Sequence, residues 1–71
     1  MTKTDKLDFA LNSRVVVTFK DDTKYSGWLV KDKKKGYYCL LPMNDSEMDI
    51  ITFRVSHIKR IKYLLNNCRL W

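Results

Sequence analysis

From Arg14 onward the chain alternates with a period of two. Val15, Val17 and Phe19 fall on one side of an extended run, with Arg14, Val16, Thr18 and Lys20 on the other, and the β-branched content predicts a strand. Asp21-Asp22-Thr23 supplies side chains that bond nearby backbone groups, so the chain turns there. A second strand follows from Lys24 to Asp32, alternating around Tyr25, Gly27 and Leu29. Lys33-Lys34-Lys35-Gly36 makes a charged turn in which Gly36 is free to take positive φ, and a third strand runs from Tyr37 to Leu41, ended by Pro42. Asn44-Asp45-Ser46-Glu47 reads as a polar loop, Asp49 to Val55 as a fourth strand, Ser56-His57 as a one-turn corner and Ile58 to Leu65 as a fifth. Ahead of the strands the spacing is helical. Leu7, Ala10 and Leu11 share one face, Thr4 or Asp5 can cap and Asn12-Ser13 stops, which predicts a short helix over residues 4–12.

Five short antiparallel strands, about ten residues apart, must curl to hide their edges. The expected architecture is therefore mainly β: a short N-terminal helix, a strongly bent five-stranded antiparallel barrel over residues 14–65 and a tail at 66–71, all one domain over residues 1–71. Gly27, in mid-strand, weakens the strand locally but permits a sharp bend or the close approach of another backbone, so it is expected to serve the fold.

Composition narrows the function. Seventy-one residues with 14 Lys+Arg against 8 Asp+Glu carry a formal net charge of +6, and 45% hydrophobic residues are too many for a disordered tail. What remains is a small basic binding module. No apolar run approaches the roughly twenty residues that span a bilayer, and the N-terminus lacks the apolar core of a secretory signal, so a cytoplasmic protein without membrane contact is expected. Cys39 and Cys68 form no C-x-x-C, His57 stands alone at a corner, and phosphate-loop and H-E-x-x-H motifs are missing. Neither catalysis nor a metal or cofactor is expected.

Two strings carry a family resemblance. VVVTFKDDTKYSGWLVKD resembles the first motif of Sm-like domains, through Val15 to Phe19, Asp22, Tyr25, Gly27, Leu29 and Asp32. FRVSHIKRI resembles the second, through Phe53, Arg54, Ser56, His57 and Ile58, with Val55 where a Gly is usual. The resemblance implies a short helix followed by a bent five-stranded barrel, assembly into rings of six or seven subunits, and RNA binding as in the Sm, LSm and Hfq proteins. It also implies a base pocket in which Asp32 and Arg54 take part, while Gly36 occupies the position of the usual Asn. SH3-like barrels, such as the C-terminal domain of RimP-type ribosome maturation factors, share the outline.

The basic residues fall in two segments, Lys31, Lys33, Lys34 and Lys35 at one turn, and Arg54, Lys59, Arg60 and Lys62 further on. Facing one polyanion, they would release counterions on binding, and Tyr37 and Tyr38 beside the lysines offer a stacking face. A turn tip can equally carry lysines as ordinary solvated charge, with the tyrosines split between core and surface. Arg54, opposite in phase to Ile51, Phe53 and Val55, should point outward. Val16, Trp28, Val30, Tyr38 or Cys39, Leu40 and Ile50 leave too much apolar surface on the outer side, and the Leu70-Trp71 end should dock rather than fray, within its own chain or on a neighbour. A homo-oligomer, a ring among the options, would hide Val16, Trp28, Val30, Leu40, Ile50 and Trp71 between copies. Three functions fit: an oligomeric binder of single-stranded RNA, a phage-type sponge that sequesters a cyclic or linear nucleotide signal or blocks a host protein, and a ribosome-associated docking barrel.

Overall fold

The computed structural model describes residues 2–42 and 50–71. The predicted loop at residues 44–47 and the Asp49 start of the fourth strand lie outside them.

Helix α1 spans Lys3–Phe9. Its cap is Thr2 and not the expected Thr4 or Asp5: the Asp5 amide donates to Thr2 Oγ1 at 3.1 Å, and the Thr2 amide donates to Asp5 Oδ2 at 3.2 Å. This reciprocal box satisfies two donors that a helix start otherwise leaves unpaired. Asn12, at φ 67°, turns the chain out of the helix. Strands β1 (Arg14–Phe19) and β2 (Lys24–Lys31) form a hairpin, its turn held by Asp21 Oδ1, which accepts from the Thr23 amide at 3.1 Å and hydroxyl at 2.6 Å. Strands β3 (Tyr37–Leu41), β4 (Ile51–Arg54) and β5 (Ile58–Tyr63) complete the sheet, with a 3₁₀ turn at Val55–His57 taking the last residue expected in the fourth strand.

All pairings are antiparallel and the order is β4-β3-β2-β1-β5. The sheet curls, since Phe19 of β1 and Phe53 of β4, with two strands between them in the sheet, bring their rings to 5.3 Å. It is not closed into the barrel that the strand pattern predicts. The physical reason sits at β5, whose outer edge is already paired with the chain's own tail. The Tyr63 amide donates to Cys68 O at 2.8 Å, the Leu70 amide to Ile61 O at 2.9 Å and the Ile61 amide to Trp71 O at 3.1 Å.

The core comprises Leu7 and Ala10 of α1 with Val15, Val17, Leu29, Tyr38, Leu40, Phe53, Ile58 and Ile61, and Leu70 and Trp71 pack against it. Three expectations change here. Leu40 does not face outward: it pairs with Leu29 and Ile51 and is 1% exposed. Tyr38 offers no stacking face, because it lies opposite Phe53 and is fully buried. Trp71 docks on its own chain. The run Tyr-Tyr-Cys-Leu-Leu is apolar at every position, so its sequence carries no period, and register alone decides which side chains turn inward.

The Tyr38 hydroxyl donates to Asp8 Oδ1 at 2.8 Å. Burial, and then this bond and the nearby carboxylates, push its pKa up to about 12 from an ordinary 10.0. A raised phenol pKa means that the folded state holds its proton longer than the unfolded chain, so the stability it contributes is whole below pH 10 and is lost as pH rises towards 12. Between those limits wild type should lose on the order of 2 kcal/mol relative to Tyr38→Phe. Urea unfolding at pH 8, 10 and 11.5 checks this, and a constant difference between the two proteins would refute it.

Candidate nucleic-acid interface

Strand pairing sets which side chains share the outer face. Tyr37 lies opposite Arg54, and Cys39 opposite Thr52. The Asp32 amide donates to Tyr37 O at 3.1 Å, and the Tyr37 amide to Lys34 O at 3.1 Å, which closes the lysine turn over the start of β3. Gly36, at φ 85°, makes that turn possible. The result is a cluster on the aromatic ring of Tyr37. Lys34 Nζ stands 4.8 Å from its centroid and the Arg54 guanidinium carbon 5.6 Å, both within cation–π range. Beside them Asp32 Oδ2 accepts from the Lys34 amide at 3.3 Å, and Asp32 Oδ1 lies 3.6 Å from Cys39 Sγ, which in turn is 3.4 Å from Thr52 Oγ1.

Asp32, Lys34, Tyr37 and Arg54, four residues singled out from the sequence, are therefore brought together, and Lys33 and Lys35 stand exposed in the same turn. The other candidates go elsewhere. Lys31 pairs with Tyr38 in register, on the inner side, and its Nζ lies 3.7 Å from Asp8 Oδ1 of α1. Lys59 donates to Asp22 Oδ1 at 2.7 Å, an ion pair that holds the Asp22 carboxyl below the usual carboxylate range. Arg60 faces outward but at the far end, opposite Thr18.

Chemically, the cluster presents a flat ring for stacking, a guanidinium and an ammonium for phosphate, and a carboxylate able to accept from the N–H edge of a base. Trp28, 39% exposed, continues the outer face, with the Arg14 guanidinium 5.0 Å from its ring. Val16 and Val30 are half-buried on that face, and Ile50, just before β4, is exposed.

Comparison with known proteins returns no match. No family model fits the chain, no curated protein matches its sequence and no solved structure matches its fold.

A second basic group was missed in part. Lys24 and Arg60 flank Thr18 across β2, β1 and β5, and Lys62 and Arg69 lie side by side where the tail meets β5. Lys24 and Arg69 reach this group only through cross-strand register, which spacing along the chain does not reveal. Among the described residues no three His, Cys, Asp or Glu gather as a metal site would require, and no helix is long and apolar enough to cross a membrane.

Proposed function

We propose that this chain is an Sm-like module that binds single-stranded RNA, with a base stacked on Tyr37 and phosphates held by Arg54, Lys34 and their lysine neighbours. The observation that carries the reading is the Tyr37 ring with both Lys34 and Arg54 within cation–π distance of it and the Asp32 carboxylate alongside. Stacking on one aromatic is worth about 1–3 kcal/mol per base and tolerates any base, so the ring supplies affinity while Asp32 can discriminate by accepting from a base N–H. The strand order, the short leading helix and the 3₁₀ turn between β4 and β5 support the Sm-like part of the reading.

Self-association belongs to the same proposal. An unpaired strand edge is a template for pairing, and the outer edge of β4 has no strand partner among the described residues, next to an exposed Ile50. Several copies would turn a weak single site into an avid one.

Fluorescence anisotropy with a labelled 12-nucleotide single strand of mixed sequence tests the binding. Tyr37→Ala should weaken it about tenfold and Arg54→Gln by a comparable factor, with log affinity falling linearly against log salt for the wild type. Equal affinity for wild type and both variants would dismiss the site, and salt-independent binding would dismiss the chemistry.

A further inference from the structure

The outer face of β1 and β5, together with the tail, holds a concavity of about 370 Å³ remote in sequence from the Tyr37 cluster. Its floor is Val16 and Thr18, and its cationic wall is Lys24, Arg60, Lys62 and Arg69. Register gives the layout. Lys24 and Arg60 stand on either side of Thr18, so their backbones are about 10 Å apart, two interstrand spacings. Lys62 stands two residues along β5 from Arg60, a step of about 7 Å, and Arg69 is bridged to Lys62 from the tail. Asp22 also lines the concavity, but Lys59 already engages it at 2.7 Å. Among the described residues, none of the four cations has a carboxylate within ion-pair distance. Four like charges are thus gathered on one curved face, and the acidic side chain in its lining, Asp22, is already engaged by Lys59.

We infer that this concavity is a second, sequence-independent anion site that holds the sugar-phosphate backbone of a nucleic-acid strand, and that the C-terminal tail completes it by supplying Arg69. The inference deepens the RNA-binding reading, on which it rests for the identity of the strand. Dimensions and floor both argue for a backbone rather than a base or a lone phosphate. The cations span about 10 Å by 7 Å, and the 7 Å step is twice the roughly 3.4 Å rise per phosphate of a stacked strand, so alternate phosphates can meet successive rows. The floor is Val16 and Thr18, and Trp71, the one ring in the lining, is half-buried against the core with Lys3 Nζ already 5.3 Å from its centroid, so the cationic wall, which positions a strand without reading it, is the dominant feature. Arg69 sits on a segment pinned by four backbone bonds, donated by Tyr63, Ile61, Leu70 and Trp71, so the wall is held in place before ligand arrives.

The test uses the full chain and the same 12-nucleotide strand, measured from 50 to 300 mM salt, with Lys24→Gln/Arg60→Gln, Arg69→Gln and Tyr37→Ala compared with wild type. Each phosphate contact on a single strand contributes about 0.7 to the log–log salt slope, so the double variant should flatten the slope by about 1.4 and Arg69→Gln by about 0.7. Thermal melting of each variant confirms that these surface changes leave the fold intact. Unchanged slopes in both charge variants would overturn the inference. A reduced slope in the charge variants, with Tyr37→Ala binding like wild type, would leave this site standing and remove the stacking site. The reverse pattern would keep the stacking site and remove this one.

Discussion

Gly27→Ala should lower the melting temperature by about 15 °C or more, a loss near 3 kcal/mol and a large share of the stability a domain of this size holds. Gly27 lies in β2 opposite Val15 of β1, and a Cβ built on it falls against the carbonyl oxygen of Leu41, with the Leu41 carbonyl carbon at 3.1 Å. The obstructing atoms are backbone, so no rotamer change relieves them. Either β2 and β3 separate near the Trp28–Leu41 pair, or the curl that brings Phe19 to Phe53 opens. Gly36→Ala is the natural control. Nothing lies within 4 Å of a Cβ there, and only the positive φ of 85° opposes it, a strain of about 1 kcal/mol worth some 4–8 °C. The ordering of the two variants matters more than either value. A Gly27→Ala protein melting within a few degrees of wild type would mean that the strands do not cross so closely.

A variant lacking residues 68–71 should be both less stable and more prone to associate. The tail shares four backbone bonds with the β5 edge, and Leu70 and Trp71, half-buried, pack against the core. Burying a large apolar side chain fully is worth about 1.5–3 kcal/mol, so two partial burials and the edge bonds together give about 2–3 kcal/mol, or 10–20 °C in Tm. Its removal also bares the β5 edge while β4 is already unpaired among the described residues. Two complementary free edges on one molecule permit head-to-tail pairing of copies, which a ring or a filament requires. Size-exclusion chromatography should then show concentration-dependent growth for the truncated chain. Leu70→Ser/Trp71→Ser separates the two effects, since it removes the packing but keeps backbone able to cover the edge, so stability should fall while association stays at the wild-type level. Unaltered melting on truncation would refute the docked tail.

Much of this fold can be read from residue order, and the parts that cannot share one cause. Val15 and Val17 inward with Val16 and Thr18 outward follows from a two-residue period, and so does Arg54 on the opposite side from Phe53. The Asp21-Asp22-Thr23 turn follows from side-chain chemistry within three residues. Where the sequence is uniformly apolar, as in β3, no period exists, and Tyr38 and Leu40 take their inward positions from pairing with Phe53 and Leu29. The tail was legible only as a segment that docks. Asn67, at φ 57°, helps turn it back beside β5, and this return is what leaves the sheet open. The candidate site divides along the same line. Asp32, Lys34 and Tyr37 are close in sequence and close in space, and Arg54 joins them through a single strand pair. Lys24 and Arg69 come together across three strands and a tail, information that resides in register and not in spacing.

The central claim, that an RNA strand seats on the Tyr37 ring beside Lys34 and Arg54, is tested most directly by following backbone amide resonances of the ¹⁵N-labelled protein while the 12-nucleotide strand is added. The largest shifts are predicted at Asp32, Lys34, Tyr37 and Arg54, with Phe9 and Leu65, exposed apolar positions outside the Tyr37 cluster, unmoved. Shifts confined to Phe9, Leu65 and their neighbours, or no shifts at low salt, would contradict it.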